Sequence, residues 1–288
     1  MSFRRVAVVG VGNIGSTVVA DLVLHGVPAL GVESTPAAAE AAQAAVLKAI
    51  RFAPLLLPAL PKISRNEALA RLRLTSDLSE VSDCDFIIEN VTEDWAVKEP
   101  LYRRLDELAA PGVCFGANTS CIAIGRIAAA TRRPDRVVGM HLMNPAYLKP
   151  TVEVIRGQET SDQTLQAVNS LFAQLGKQAV VVGDMPGFVS NRISHLFMNE
   201  AALVLQDGLA SADQIDLIFR NCFGHKMGPL ATADLIGVDT VVRSLDVLYD
   251  AYRDPKYKAC ALLRSMADSG RCGVKTGRGF HSYPAFLP

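Results

Sequence analysis

An excess of charge of either sign is missing from this sequence: 29 Lys and Arg stand against 29 Asp and Glu, a formal net charge of zero. With no basic surplus, neither nucleic acid nor an anionic membrane surface is expected as a partner. Long apolar runs are missing too. The run that begins at Val6 is broken by Gly10, Gly12 and Gly15 and ended by Asp21. It is neither a leader h-region nor a span of ~20 apolar residues, so no membrane segment is expected. The six cysteines, at 84, 114, 121, 222, 260 and 272, form no C-x-x-C pair. They read as reduced thiols of a cytoplasmic protein, with neither a disulfide frame nor a metal site. No internal repeat or low-complexity segment is present. Half of the 288 residues are hydrophobic and 20% are charged, which excludes disorder and provides a sizeable core in one large or two ordinary domains.

What is present begins at the N-terminus. Arg5–Val9 is a short continuous apolar run, suited to a parallel strand buried on both faces. Gly10-Val-Gly12-Asn13-Ile14-Gly15 follows at once, then a helical stretch from Ser16 to His25 and a second strand, Ala29–Val32, ending in Glu33. A lone G-x-G-x-x-G carries little weight, but strand, glycines, helix, strand and acid in that order form a dinucleotide-binding fingerprint. Gly10 makes the tight turn, Gly12 lets the backbone approach a pyrophosphate at the helix N-terminus, and Gly15 permits close helix–strand packing. Glu33 stands where an acid accepts from ribose hydroxyls. No Arg follows in Ser34-Thr35-Pro36, so NAD is expected rather than NADP.

The second concentration of chemistry lies between Asn118 and Glu153. His141 ends an apolar run containing Val137, Val138 and Met140, and Glu153 sits inside the next one, Thr151–Ile155. A histidine with a nearby carboxylate is the pairing from which general acid/base catalysts are built. Just upstream, Gly116-Ala-Asn118-Thr-Ser120 closes another strand with small and hydroxyl residues that leave room for a substrate.

Strands and helices alternate through the first part of the chain. Ala37–Arg51 reads as a helix. Phe52–Pro61, apolar but interrupted by three prolines, reads as a packed loop or an exposed binding surface. Glu67–Arg73 resumes a helix, Asp85–Val91 is a strand, Trp95–Leu108 a helix and Val113–Ala117 a strand. Ser161–Leu175 is a further helix and Ala179–Val182 the last strand. The expected class is α/β, a Rossmann-type doubly wound sheet. Turn signals in Gly183-Asp-Met-Pro-Gly-Phe188 place the boundary between residues 1–184 and an all-α C-terminal domain, 185–288. There Ser190–Gln206, Ser211–Arg220, Leu230–Tyr252 (interrupted at Gly237) and Ala259–Ser269 read as helices. The first is apolar on more faces than a surface helix needs, which fits a subunit interface.

These residues resemble the 3-hydroxyacyl-CoA dehydrogenase family in its short 3-hydroxybutyryl-CoA form. The likeness rests on Gly10–Gly15, Glu93 with Lys98, Asn118-Thr-Ser120, His141-Leu-Met-Asn-Pro145 and Val152-Glu-Val154. It continues through Pro186–Arg192, His225–Pro229, Asp234–Asp239 and Lys275–Phe280. The resemblance implies an NAD-dependent dehydrogenase of short 3-hydroxyacyl thioesters that forms a homodimer through its helical domain. It carries the catalytic base onto His141 and its carboxylate partner onto Glu153. The hydroxyl donor falls on Ser120 and the amide donor on Asn191, so that closure of a cleft between the domains would complete the site. Glu93 and Lys98 fall at the nicotinamide end of the cofactor. The sequence departs from relatives that handle coenzyme A after the second strand. A lysine-rich helical pair is usual there; here stands the Pro/Leu run, with Arg51, Lys62 and Arg65 at its margins. The departure makes an acyl carrier protein an alternative carrier, as in the branch that looks like oxidases of carrier-bound glyceryl groups in polyketide extender-unit pathways. A free hydroxy-acid dehydrogenase and a non-catalytic NAD-binding relative complete the alternatives.

Overall fold

The computed structural model describes residues 3–283. The chain divides into two compact units, Met1–Met185 and Pro186–Pro288.

In the first unit Val6–Val9 forms β1, buried along its whole length. It leads through the glycine turn into α1, Asn13–Leu24. Then come β2, Ala29–Val32, α2, Pro36–Leu56, α3, Arg65–Arg71, and β3, Leu72–Thr75. The series continues with β4, Phe86–Glu89, α4, Trp95–Leu108, β5, Cys114–Ala117, and α5, Ile124–Ala128. It ends with β6, Val137–His141, β7, Thr151–Arg156, α6, Asp162–Gln174, and β8, Gln178–Gly183. The eight strands form one sheet in the order β3-β2-β1-β4-β5-β6-β7-β8. All neighbours are parallel except β6 and β7. The sequence order reverses across β1 and β4, the arrangement whose carboxyl-end crevice receives ligands in doubly wound sheets.

Two local expectations are corrected. The helix expected to stop at Arg51 runs on to Leu56, through Pro54. A proline deletes one amide and crowds the preceding turn, but here it falls in the last turn. The Leu57 amide still reaches the Ala53 carbonyl at 2.9 Å, and Ala53 and Ile50 pack inward. Phe52, Leu55 and Leu56 of this turn are exposed. The helix expected over Glu67–Arg73 starts two residues earlier, at a capping box between Ser64 and Glu67, and gives way at Leu72 to the edge strand β3. Pairing of Leu72–Thr75 with the buried β2 outweighs the helical pattern of the short stretch.

The second unit is helical: α7, Ser190–Gln206, α8, Ala212–Phe223, α9, Pro229–Ile236, α10, Val238–Tyr252, and α11, Ala261–Asp268. Met198, Ala202, Leu230, Val241, Leu245 and Leu263 form its core. Gly237, at φ 104°, separates α9 from α10. Two buried carboxylates organise this unit. Asp216 accepts from the Leu230 and Ala231 amides at the start of α9. Asp234, fully buried, accepts from the Phe280 and His281 amides at 2.9 Å and from the Tyr283 hydroxyl at 3.0 Å. Among the described residues no helix is long and apolar enough to cross a membrane.

Candidate active site

The antiparallel pairing of β6 with β7 sets the centre of the site. Its register places Gly139 opposite Ile155, Met140 opposite Val154 and His141 opposite Glu153. Side chains of directly opposed residues project to the same face, and here His141 Nδ1 lies 2.9 Å from Glu153 Oε2, with both side chains about nine-tenths buried. With Nδ1–H donated to the carboxylate, Nε2 is the accepting nitrogen. The Ser120 hydroxyl donates to it from 3.3 Å. Ser120 arrives there because β5 runs parallel to β6, so the loop after Ala117 emerges beside the end of the strand that carries the histidine.

That loop is fixed by an ionic cluster in which Lys98 and Glu89 are fully buried and Glu93 is partly exposed. Glu93 Oε1 accepts from the Ser120 amide at 2.8 Å, the Cys121 amide at 3.0 Å and the Thr119 hydroxyl. Lys98 is fully buried; its ammonium donates to both oxygens of Glu89 at 2.8 Å and to the Asn118 carbonyl at 3.0 Å, and lies 3.6 Å from Glu93 Oε2. Tyr102, one helical turn beyond Lys98, donates its hydroxyl to Glu89 at 2.9 Å, and the Val91 amide adds a further bond. Burial pushes the Glu89 carboxyl above the usual carboxylate range, against the opposing pull of the Lys98 ammonium. Burial pushes the Tyr102 phenol up as well, reinforced by the Glu89 charge. Lys98, expected at the nicotinamide end of the cofactor, is fully buried and meets the Asn118 loop and Glu93.

A chain of amide side chains joins this cluster to the glycine turn. Asn90 Nδ2 donates to the Gly10 carbonyl at 3.3 Å, Asn118 Nδ2 donates to Asn90 Oδ1, and Asn118 Oδ1 accepts from the Leu142 amide, next to His141, at 3.0 Å. Gly10 has φ 89°, and a Cβ there would fall 2.7 Å from the Asn90 carbonyl oxygen. A Cβ at Gly15 would fall 2.1 Å from the Gly10 carbonyl oxygen. A Cβ at Gly12 would meet no protein atom within 4 Å, and no side chain caps the helix that starts at Asn13. The amides of the first turn of α1 are thereby left to an anionic ligand. Beside them lies a cavity of about 520 Å³ lined by Gly10, Gly12, Val32, Glu33, Asn90 and Leu78 among others, none of its lining residues a Lys or Arg. Glu33 accepts from the Val11 amide at 2.6 Å and the Ser34 amide at 3.2 Å, so it fastens the glycine turn as well as facing the cavity. Cradle, helix terminus and acid fit a dinucleotide without a 2′-phosphate. Asn13 accepts a long bond from Asn144, 3.4 Å, and Ile14 packs against the core.

Asn191 belongs to the second unit, in the first turn of α7, where its carbonyl oxygen lies 2.8 Å from His195 Nδ1. Sequence reasoning missed Glu89, Asn90 and Tyr102. A signal for the first existed: an acid closing an otherwise apolar strand, followed by Lys98 and Tyr102 at i, i+4 spacing on one helix face.

The family model described as the 3-hydroxyacyl-CoA dehydrogenase NAD binding domain matches residues 5–185, and that of the corresponding C-terminal domain matches residues 187–283. A probable 3-hydroxybutyryl-CoA dehydrogenase of Bacillus subtilis is 38% identical over 288 residues, covering 98% of each chain. A 3-hydroxybutyryl-CoA dehydrogenase of Mycobacterium tuberculosis is 34% identical over 285 residues, 98% of this chain and 99% of that one. Among solved structures, the (S)-3-hydroxybutyryl-CoA dehydrogenase of Ralstonia eutropha superimposes with a TM-score of 0.92 at 37% identity, covering 98% of this chain and all of the other.

Proposed function

The chain belongs to the 3-hydroxyacyl-CoA dehydrogenase family, and from that premise we propose that His141, backed by Glu153, is the general base for oxidation of the 3-hydroxyl of a short 3-hydroxyacyl thioester. The enzyme is an NAD-dependent dehydrogenase. The first turn of α1 and Glu33 would hold NAD, which would supply the hydride acceptor. His141 Nε2 takes the hydroxyl proton, and the imidazolium costs less to form because Glu153 already accepts from Nδ1. Ser120 and, from the second unit, Asn191 are assigned as donors to the substrate oxygen, whose charge changes most on the way to the transition state. Glu93, with Lys98 behind it, holds the Ser120 loop at the nicotinamide end.

The single observation that supports this reading most is the His141–Glu153 contact of 2.9 Å at a directly opposed register position. Replacement His141→Gln is expected to lower kcat by roughly 10²–10⁴-fold while NADH affinity, read by fluorescence titration, stays within about twofold. Turnover that survives the substitution removes His141 from the role.

Coenzyme A is the carrier in the first reading, in keeping with the names of the relatives. A second reading, with an acyl carrier protein delivering the thioester, has its own observation. The exposed end of α2 and the start of α3 enclose a cavity of about 550 Å³, lined by Leu47, Ile50, Pro54 and Leu55 and edged by Arg51, Lys62 and Arg65. Apolar floor and cationic rim suit an acidic helix presenting a phosphopantetheine arm. Comparing kcat/KM for one acyl group on the two carriers decides between them. Assembly as a homodimer is assigned to the helical unit, which exposes Ile193, Leu209, Leu217, Ile218 and Phe223; light scattering on the purified protein tests it.

A further inference from the structure

Nine residues, 142–150, connect β6 to β7. The His141–Glu153 pair is the last register pair before that connection. A connection of this length does not fix its own ends as a two-residue hairpin turn does. Whatever holds it therefore holds the imidazole and the carboxylate in register.

Asn118 holds its start through the Leu142 amide and the Gln178 amide holds its end through the Pro150 carbonyl; between them one ammonium group gathers two more of its carbonyls. Lys177, 5% exposed at its side chain, lies just before β8 and directs all three of its protons inward. Nζ is 2.8 Å from the Ala146 carbonyl oxygen, 2.7 Å from that of Lys149 and 2.9 Å from Asp21 Oδ2. Asp21 is itself 2% exposed and sits on α1, the helix whose first turn faces the dinucleotide cavity. From the same helix Thr17 Oγ1 accepts from the Ala146 amide at 3.0 Å. On its other side the Asp21 carboxylate meets His25 Nδ1 at 3.2 Å. Backbone carbonyls, a carboxylate oxygen and a lysine with all three donors engaged form a buried set, costly to break; the other Asp21 oxygen, Oδ1, has the His25 ring as an ionic neighbour but no hydrogen-bond donor.

We propose that Lys177 is a positioning residue for the reaction: through its three bonds it clamps the β6–β7 connection onto α1 and so sets the His141–Glu153 pair relative to the cofactor helix. The inference rests on the acid/base assignment made above for that pair. It assigns to the Lys177–Asp21–Thr17 set a role in catalysis exercised without contact with substrate or cofactor.

The test is steady-state oxidation of a 3-hydroxyacyl thioester by the enzyme carrying Lys177→Met or Lys177→Arg, beside the wild type and His141→Gln, with each rate normalised to the folded fraction read by circular dichroism. Loosening the connection disturbs the placing of the reacting groups more than cofactor binding, so kcat and KM should part. For Lys177→Met, kcat per folded enzyme falls by roughly 10–100-fold while KM for NAD stays within about threefold. Lys177→Arg, which keeps the charge and several donors, recovers part of the loss. A Lys177→Met enzyme that loses activity only in proportion to its folded fraction overturns the proposal, as does one with full activity. Should Lys177→Met fail to fold, Asp21→Asn and Thr17→Val each detach one side of the clamp. A fall in kcat per folded enzyme with KM for NAD held supports the proposal, and an unchanged kcat in both overturns it. Activity retained by His141→Gln would instead sink the acid/base assignment, so the two failures are distinguishable.

Discussion

Replacing Lys98 by methionine keeps the length of the side chain and removes a fully buried cation. Glu89, also fully buried, loses its two ammonium contacts at 2.8 Å and keeps only the Tyr102 hydroxyl and the Val91 amide. Breaking one side of a buried ion pair costs roughly 3–5 kcal/mol. The lower end applies here, about 3 kcal/mol at neutral pH, because two donors remain and the carboxyl can take a proton. For a unit of this size that is a loss of roughly 6–12 °C in melting temperature. The loss carries a pH signature. Burial already raises the Glu89 carboxyl above 4.5, and removing the cation raises it further. An acid raised in the folded state is bound more tightly to its proton there than in the unfolded chain. Stability therefore falls as pH rises above 4.5, by roughly 1.4 kcal/mol per unit, until the folded carboxyl itself ionises. Lys98→Met should lie close to the wild type at pH 4.5 and furthest below it near neutrality, measured by urea titration followed by circular dichroism. The double variant Glu89→Gln/Lys98→Met should flatten that dependence and regain most of the stability. Activity should not return, because Glu93 and the Asn118 carbonyl still lack their cation. A defect that is independent of pH, or smaller than about 1 kcal/mol at neutrality, would refute the account of the pair as a buried, mutually dependent charge.

Gly15→Ala drives a Cβ to 2.1 Å from the Gly10 carbonyl oxygen and 2.9 Å from Asn90 Nδ2. The glycine turn must deform, and NADH affinity by calorimetry is expected to fall at least about tenfold. The Asp21 carboxylate raises the His25 imidazole above 6.5. The stability this supplies is complete below pH 6.5 and is lost as pH rises through the raised value. The margin of the wild type over His25→Asn in thermal melts should be widest below pH 6.5 and shrink above it. Burial pushes the Cys121 thiol up to about 11, whereas Cys222 is exposed. Alkylation at pH 8 followed by mass spectrometry should label Cys222 first and spare Cys121, although Cys121 adjoins the proposed site.

The parts of the site legible in the sequence were those whose chemistry is local. The glycine turn announces itself because a positive φ at Gly10 and the space denied to a Cβ at Gly15 leave those positions few other residues. His141 and Glu153 can be read as neighbours because each stands in an apolar run of strand type, although only the register shows them opposed. The supporting groups were not legible. Tyr102 and Lys98 meet Glu89, and Lys98 meets Asn118, across three segments of chain, and Lys177 meets Asp21 from 156 positions away. No spacing rule reaches that far. Propensity failed in two short stretches for opposite reasons. Pro54 was tolerated because a helix end has little left to lose, and Leu72–Thr75 became a strand because a buried neighbour offered it a ladder.

The Asp234 carboxylate makes the helical unit depend on a segment far along the chain from α9. Its three donors, the amides of residues 280 and 281 and the hydroxyl of Tyr283, all come from that segment. A chain cut before Phe280 leaves the carboxylate buried without them, a costly state. Such a cut should open the helical unit to proteases while the sheet unit, whose strand pairings run only to Gly183, stays resistant.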